Sequence, residues 1–127
     1  MEDFGAVNWL AVGVGTVAAF MVGWLWYSPL LFGKKWAEGS GVELNTADKM
    51  PAAAMVSQLV ALFCLALVIG LTATTDSLVT AIFAILAVGF MVFSNGGFSQ
   101  KSNYAMLVDL GHAIMSGVVM IAAQGLL

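Results

Sequence analysis

Asp109 and His112 lie three residues apart in an otherwise apolar run near the carboxyl end of the sequence. On a helix that spacing puts both side chains on one face, close enough to meet. A carboxylate beside an imidazole can pass a proton, hold a cation or, with a third ligand, bind a metal such as zinc. Ser116, four residues after His112, falls on the same face and invites a Ser-His-Asp reading. All three would sit on one helix, without evident oxyanion donors, which disfavours acyl-transfer chemistry. His112 is also the one histidine of the chain, so a zinc site would lack a second imidazole. The chain is read as non-enzymatic, with no cofactor and no metal.

These residues belong to an element set by hydropathy. Of the 127 residues, 61% are hydrophobic and only 9% charged, and the mean hydropathy is +1.00. A soluble domain carries about 25% charged residues, so lipid must be the solvent for most of this surface. Four spans are predicted, each near the ~20 residues that cross ~30 Å of hydrocarbon. They run from about Ala6 to Tyr27, Pro51 to Thr72, Ser77 to Gly96 and Asn103 to Gly125. The fold class is all-α, an integral membrane four-helix bundle in a single domain. Pro51 suits a first helical turn, with Thr46 or Asp48 as cap. The link from Ala73 to Asp76 is short enough to force spans two and three into an antiparallel hairpin. Residues 28–50 form the one long connection.

Charge sets the orientation and excludes one partner class. Net charge is −3, there is no arginine, and no lysine cluster offers a nucleic-acid footprint. Lys34, Lys35 and Lys49 fall between spans one and two, and Lys101 between three and four. Glu2, Asp3 and Asp76 fall on the other side. The positive-inside rule then places the long loop in the cytoplasm and both termini outside. The acidic amino terminus is unlike a secretory signal, so the first apolar stretch is read as a retained span. Cys64, alone in an apolar run, reads as a small buried hydrophobe.

The segment from Gly23 to Trp36 is rich in aromatic residues and carries two lysines just before its last residue. Trp24, Trp26, Tyr27 and Trp36 favour the headgroup layer, where Lys34 and Lys35 can snorkel. Pro29 disfavours α geometry at Ser28, so the chain should bend there and continue along the interface. A lipid headgroup or substrate site is the functional alternative to simple anchoring. Asn-Trp-Leu-Ala at Asn8–Ala11, with Leu-Trp-Tyr-Ser-Pro-Leu-Leu-Phe-Gly-Lys-Lys-Trp ending at Trp36, resembles the bacterial membrane family catalogued as domain of unknown function 1761. The resemblance covers essentially the whole chain and implies about four helices. It implies a last span with a polar residue, a glycine and an aromatic or histidine, matched here by Asp109, Gly111 and His112. No activity comes with it.

Packing and energetics bear on the last span. Ala11, Gly15, Ala19 and Gly23 recur every four residues, a smooth stripe for close helix approach within one subunit or between subunits. Ala113, Gly117 and Gly125 offer a similar surface on span four. A central Asp costs roughly 3 kcal/mol to insert, and the seven aliphatic residues from Leu107 to Ile121 return about 2 to 4 kcal/mol together. The span therefore needs its neighbours. At 1.5 Å per residue from Asn103, Asp109 lies about 9 Å deep and His112 about 13 Å. Ser102, Ala105, Asp109, His112, Ala113, Ser116, Met120 and Ala123 share one side; Leu107, Ile114, Val118 and Ile121 share the other. Gln58 is a candidate partner for Asp109 from span two.

The favoured reading is a small proton- or cation-linked conduit or transporter in a bacterial inner membrane, built as a homo-oligomer. Asp109 would carry the ion or proton, His112 would tune it, and Gln58 and Ser116 would assist. The competing reading is a non-transporting scaffold that binds lipid or a partner protein through its interfacial aromatics. A dry, fully bonded Asp109 favours the scaffold and a hydrated one favours transport.

Overall fold

The computed structural model describes residues 3–42 and 52–127, and all regular structure in them is helical. A 3-10 turn at Phe4–Ala6 leads into α1 (Trp9–Trp26), followed by α2 (Gly33–Ser40), α3 (Ala52–Ala73), α4 (Leu78–Phe98) and α5 (Asn103–Leu126). Four of these, α1, α3, α4 and α5, are long and apolar enough to cross a membrane. The proposed caps Thr46 and Asp48, the helix start at Pro51 and the orienting Lys49 lie outside the described residues.

Local chemistry sets the boundaries. The Asn8 side chain accepts from the Ala11 N–H at 3.1 Å, satisfying one of the donors a helix start leaves open. That cap starts α1 at Trp9 rather than at Ala6. Ser102 does the same for α5, accepting from the Ala105 N–H at 3.1 Å. Past Trp26 the chain turns, as Pro29 predicts: the N–H groups of Leu31 and Gly33 both donate to the Ser28 carbonyl. It then winds into α2, an element hidden inside the expected loop. That helix ends where Gly41 takes φ +72°. There the Val42 N–H reaches the Ala37 carbonyl and the Gly41 N–H reaches that of Glu38, a pairing that closes a helix and favours glycine.

The centre of the bundle is α5, which packs against α1, α2, α3 and α4 and is the most buried of the four long helices. Val7, Val12, Ala19, Leu65, Ile69, Ile85 and Met120 form the apolar core. Large side chains such as Phe83, Phe90, Met91 and Leu107 point outward, as expected of a lipid-facing surface. The wheel drawn for α5 holds: Ala105, Asp109, His112, Ala113, Ser116, Met120 and Ala123 are buried, and Leu107, Ile114 and Val118 are exposed. Two positions depart from it. Ser102 is exposed at the helix start, and Ile121 packs on the core.

The small-residue stripe of α1 is spent inside the chain. Ala11, Gly15 and Ala19 are buried, and a Cβ at Gly15 would lie 3.4 Å from Met120 of α5. On α5, Gly117 faces α4 instead, where a Cβ would meet Ile85. Cys64 is exposed on the outer surface of α3 rather than buried, because it lies on the side of that helix away from the core.

Candidate functional site

One carboxylate gathers three elements. Asp109 is only 6% exposed, and both its oxygens are bonded. Oδ1 accepts from the Tyr27 hydroxyl at 2.6 Å and from Trp36 Nε1 at 2.9 Å. Oδ2 is paired with Lys101 Nζ at 2.8 Å. Tyr27 stands just past the end of α1, Trp36 on the inner side of α2, and Lys101 in the turn from α4 to α5. Charge-assisted bonds of this kind are among the stronger ones in proteins, and a buried carboxylate needs them.

The surrounding fold holds each donor in place. Trp26 Nε1 donates to the Val108 carbonyl at 2.9 Å. Its ring lies so close to α5 that a Cβ at Gly111 would be 2.9 Å from Cζ2. The helix α2 lies on the start of α5, with Gly33 and Ala37 buried. The Ser102 N–H donates to the Gly39 carbonyl at 2.9 Å, and a Cβ at Gly39 would run into the Ser102 side chain. Tyr27 and Trp36 meet edge to face with centroids 4.8 Å apart. Lys101 is aimed by its own backbone, whose N–H donates to the Gly96 carbonyl at 2.9 Å just after Gln100 at φ +62°. Burial first, then the hydrogen bond to Asp109 and its charge, push the Tyr27 phenol up from its ordinary value, so it serves as a donor.

His112 is reached through Tyr27. Asp109 and His112 share a face, but the structure contains no hydrogen bond between them; the Tyr27 ring stands edge-on to the imidazole at 5.4 Å. His112 Nε2 lies 3.4 Å from Ser116 Oγ, and both residues are buried. Space for the ring comes from Gly23, where a Cβ would lie 2.8 Å from Nε2. Asp109 does not orient the ring, so the three residues lack the arrangement of a hydrolytic triad.

Other expected participants fall elsewhere. Gln58 is exposed on α3 and makes no bond to Asp109. The aromatic set divides: Trp24 is 69% exposed and neighbours Phe20 on the outer face, whereas Trp26, Tyr27 and Trp36 turn inward. Lys34 and Lys35 remain exposed, and Lys35 Nζ lies over the Tyr104 ring at 4.6 Å. Among the described residues, no three of His, Cys, Asp and Glu gather as a metal site would require.

The sequence reading missed Lys101 as the partner of Asp109 and Trp36 as a donor. A signal for the first was present: a carboxylate about 9 Å into hydrocarbon needs a counter-charge. Lys101 sits eight residues before it, on a long side chain.

Grooves on the surface of the described residues include two away from the carboxylate. One of about 330 Å³ lies at the opposite end of the bundle, lined by Thr72, Asp76, Ser77 and Gln124 among others. The other, lined by Trp9, Leu10, Val14, Val17 and Met21, is apolar and runs along the outer face of α1. Neither touches Asp109.

The sequence profile of one family, described as "Protein of unknown function (DUF1761)", matches residues 10–125. No curated protein and no solved structure matches the chain.

Proposed function

Because the chain belongs to the family described as "Protein of unknown function (DUF1761)", whose name carries no activity, we propose a function from the geometry alone. It is a non-transporting, non-enzymatic membrane protein whose bundle fixes a short interfacial helix as a platform for lipid or a partner protein. One observation carries this: Asp109 is buried, and both its oxygens are taken by donors from α1's end, α2 and the α4–α5 turn. A carboxylate whose Oδ1 holds Tyr27 and Trp36 clamps the segment 27–42 to α5, a structural rather than a conducting role. The platform so fixed presents Lys34, Lys35, Leu30 and Leu31 outward, a mixture suited to the headgroup layer.

The lysines support the orientation read from the sequence, with α2 at the cytoplasmic face of a bacterial inner membrane and both termini outside. A homo-oligomer would form through faces other than the small-residue stripe of α1, which α5 already covers.

A second reading has its own observation. Lys101 in the half-buried α4–α5 turn, Asp109, Tyr27 from the end of α1, His112 and Ser116 follow one another beside α5 into the bundle, a polar line on which a proton- or cation-linked conduit could be built. Proton flux into liposomes separates the two. The platform reading expects wild-type protein to give no flux above protein-free liposomes. Flux that rises with protein and vanishes in Asp109→Asn would overturn it and install the conduit.

A further inference from the structure

The two oxygens of Asp109 face different chemistry. Oδ1 takes two neutral aromatic donors, Tyr27 and Trp36. Oδ2 is left to a single ammonium, that of Lys101, at 2.8 Å. The same ammonium lies 5.4 Å from the centre of the Trp36 ring, within the ~6 Å over which an aromatic face attracts a cation. Tyr27 packs edge to face on Trp36 and so holds that ring in position. A carboxylate oxygen and an aromatic face, arranged around one point and braced from behind, make an ammonium site.

The occupant is tethered but not part of the frame. The two donors on Oδ1 come from residues other than Lys101, and the backbone of residue 101 is held by its own bond to Gly96. The Lys101 side chain is 26% exposed, so the site opens outward along the lysine. It opens just before α5 begins at Asn103, at the end of the long helices where headgroup amines lie.

We propose that Asp109, Trp36 and Tyr27 form a binding site for a primary ammonium, filled here by the chain's own Lys101. An amine of other origin, an ethanolamine lipid headgroup or a small free amine, takes the same place when Lys101 swings into water. The exchange is one cation for another, with no covalent step. Selectivity follows from the short Oδ2 bond. A primary ammonium can donate to it, and a quaternary one cannot. This proposal does not require the platform reading, nor does the platform reading require it.

The test is rescue of Lys101→Ala by amines, on the full chain in detergent, with thermal stability followed by size exclusion. The variant is expected to melt lower than wild type. Millimolar ethylammonium should raise its Tm by several degrees and saturate, while sodium and tetramethylammonium at equal concentration do not. The double variant Asp109→Asn/Lys101→Ala should not respond. Ethylammonium acting no better than sodium, or equally on the double variant, overturns the site. If Lys101→Ala is not recovered folded, extraction in ethylammonium should restore recovery; failure to do so overturns it equally. Nanodiscs then separate the sources. Stabilisation of Lys101→Ala by phosphatidylethanolamine over phosphatidylcholine and phosphatidylglycerol identifies a headgroup. Response to ethylammonium without that preference identifies a free amine.

Discussion

Tyr27 stands between Asp109 and His112: its hydroxyl donates to Asp109 at 2.6 Å while its ring meets the imidazole edge-on at 5.4 Å. The two polar groups of α5 are thus joined by a residue 82 positions from Asp109 in sequence, supplied by the end of α1. Removing the hydroxyl alone should expose that role. Tyr27→Phe keeps the ring contacts and loses one charge-assisted bond, so we expect a loss of about 1.5–3 kcal/mol. Trp24→Phe, on the outer face, should change stability by less than about 0.5 kcal/mol. Reversible unfolding in mixed micelles measures both.

Alkaline titration gives the same bond a pH signature. The Tyr27 phenol is raised above its ordinary value of 10.0, chiefly by burial and then by Asp109. A raised value means that the folded state holds the proton more tightly than the unfolded one. The contribution is fully present below the unfolded pKa near 10 and is lost as pH rises through the folded value. Tyr27→Phe should therefore leave tyrosinate absorbance between about pH 9 and 10 unchanged. A drop in that absorbance on substitution would show that Tyr27 ionises there.

Asp109 itself should show graded behaviour. Asp109→Asn retains an acceptor oxygen for Tyr27 and Trp36 and loses the ion pair, so a loss of about 1–2 kcal/mol is expected. Asp109→Leu leaves two buried donors unsatisfied and should cost about 3 kcal/mol or more. Equal stability of the two variants would show that the aromatic donors contribute nothing.

Glycines of α1 offer a paired control. A Cβ at Gly23 would lie 2.8 Å from His112 Nε2, whereas one at Gly13 meets nothing within 4 Å. Gly23→Ala should displace the imidazole and lower Tm, and Gly13→Ala should be neutral or slightly stabilising through helix propensity. Comparison of the two melting curves in one detergent decides it.

The bundle was legible because hydropathy reports directly on lipid exposure. Four helices long and apolar enough to cross a membrane have their described ends within three residues of the expected spans, and Asp109, His112 and Ser116 lie on the buried side of α5. What stayed hidden was who would meet Asp109. Trp36 reaches it across 73 residues, after a bend, a turn and a short helix that local periodicity does not aim. The interfacial signature of Trp26, Tyr27 and Trp36 was real in composition. Ring type alone does not say whether an indole N–H faces water or a buried carboxylate. Gln58 failed for the complementary reason: equal depth in two helices does not imply facing sides.

Asp109 clasps α2 to the bundle through Trp36. Hydrogen–deuterium exchange of the amides of residues 33–40 in lipid nanodiscs tests it most directly, comparing wild type with Asp109→Leu. Exchange in 33–40 is expected to be faster in the variant, with the amides of α3 and α4 unchanged. Protection of 33–40 that is identical in both proteins would contradict it.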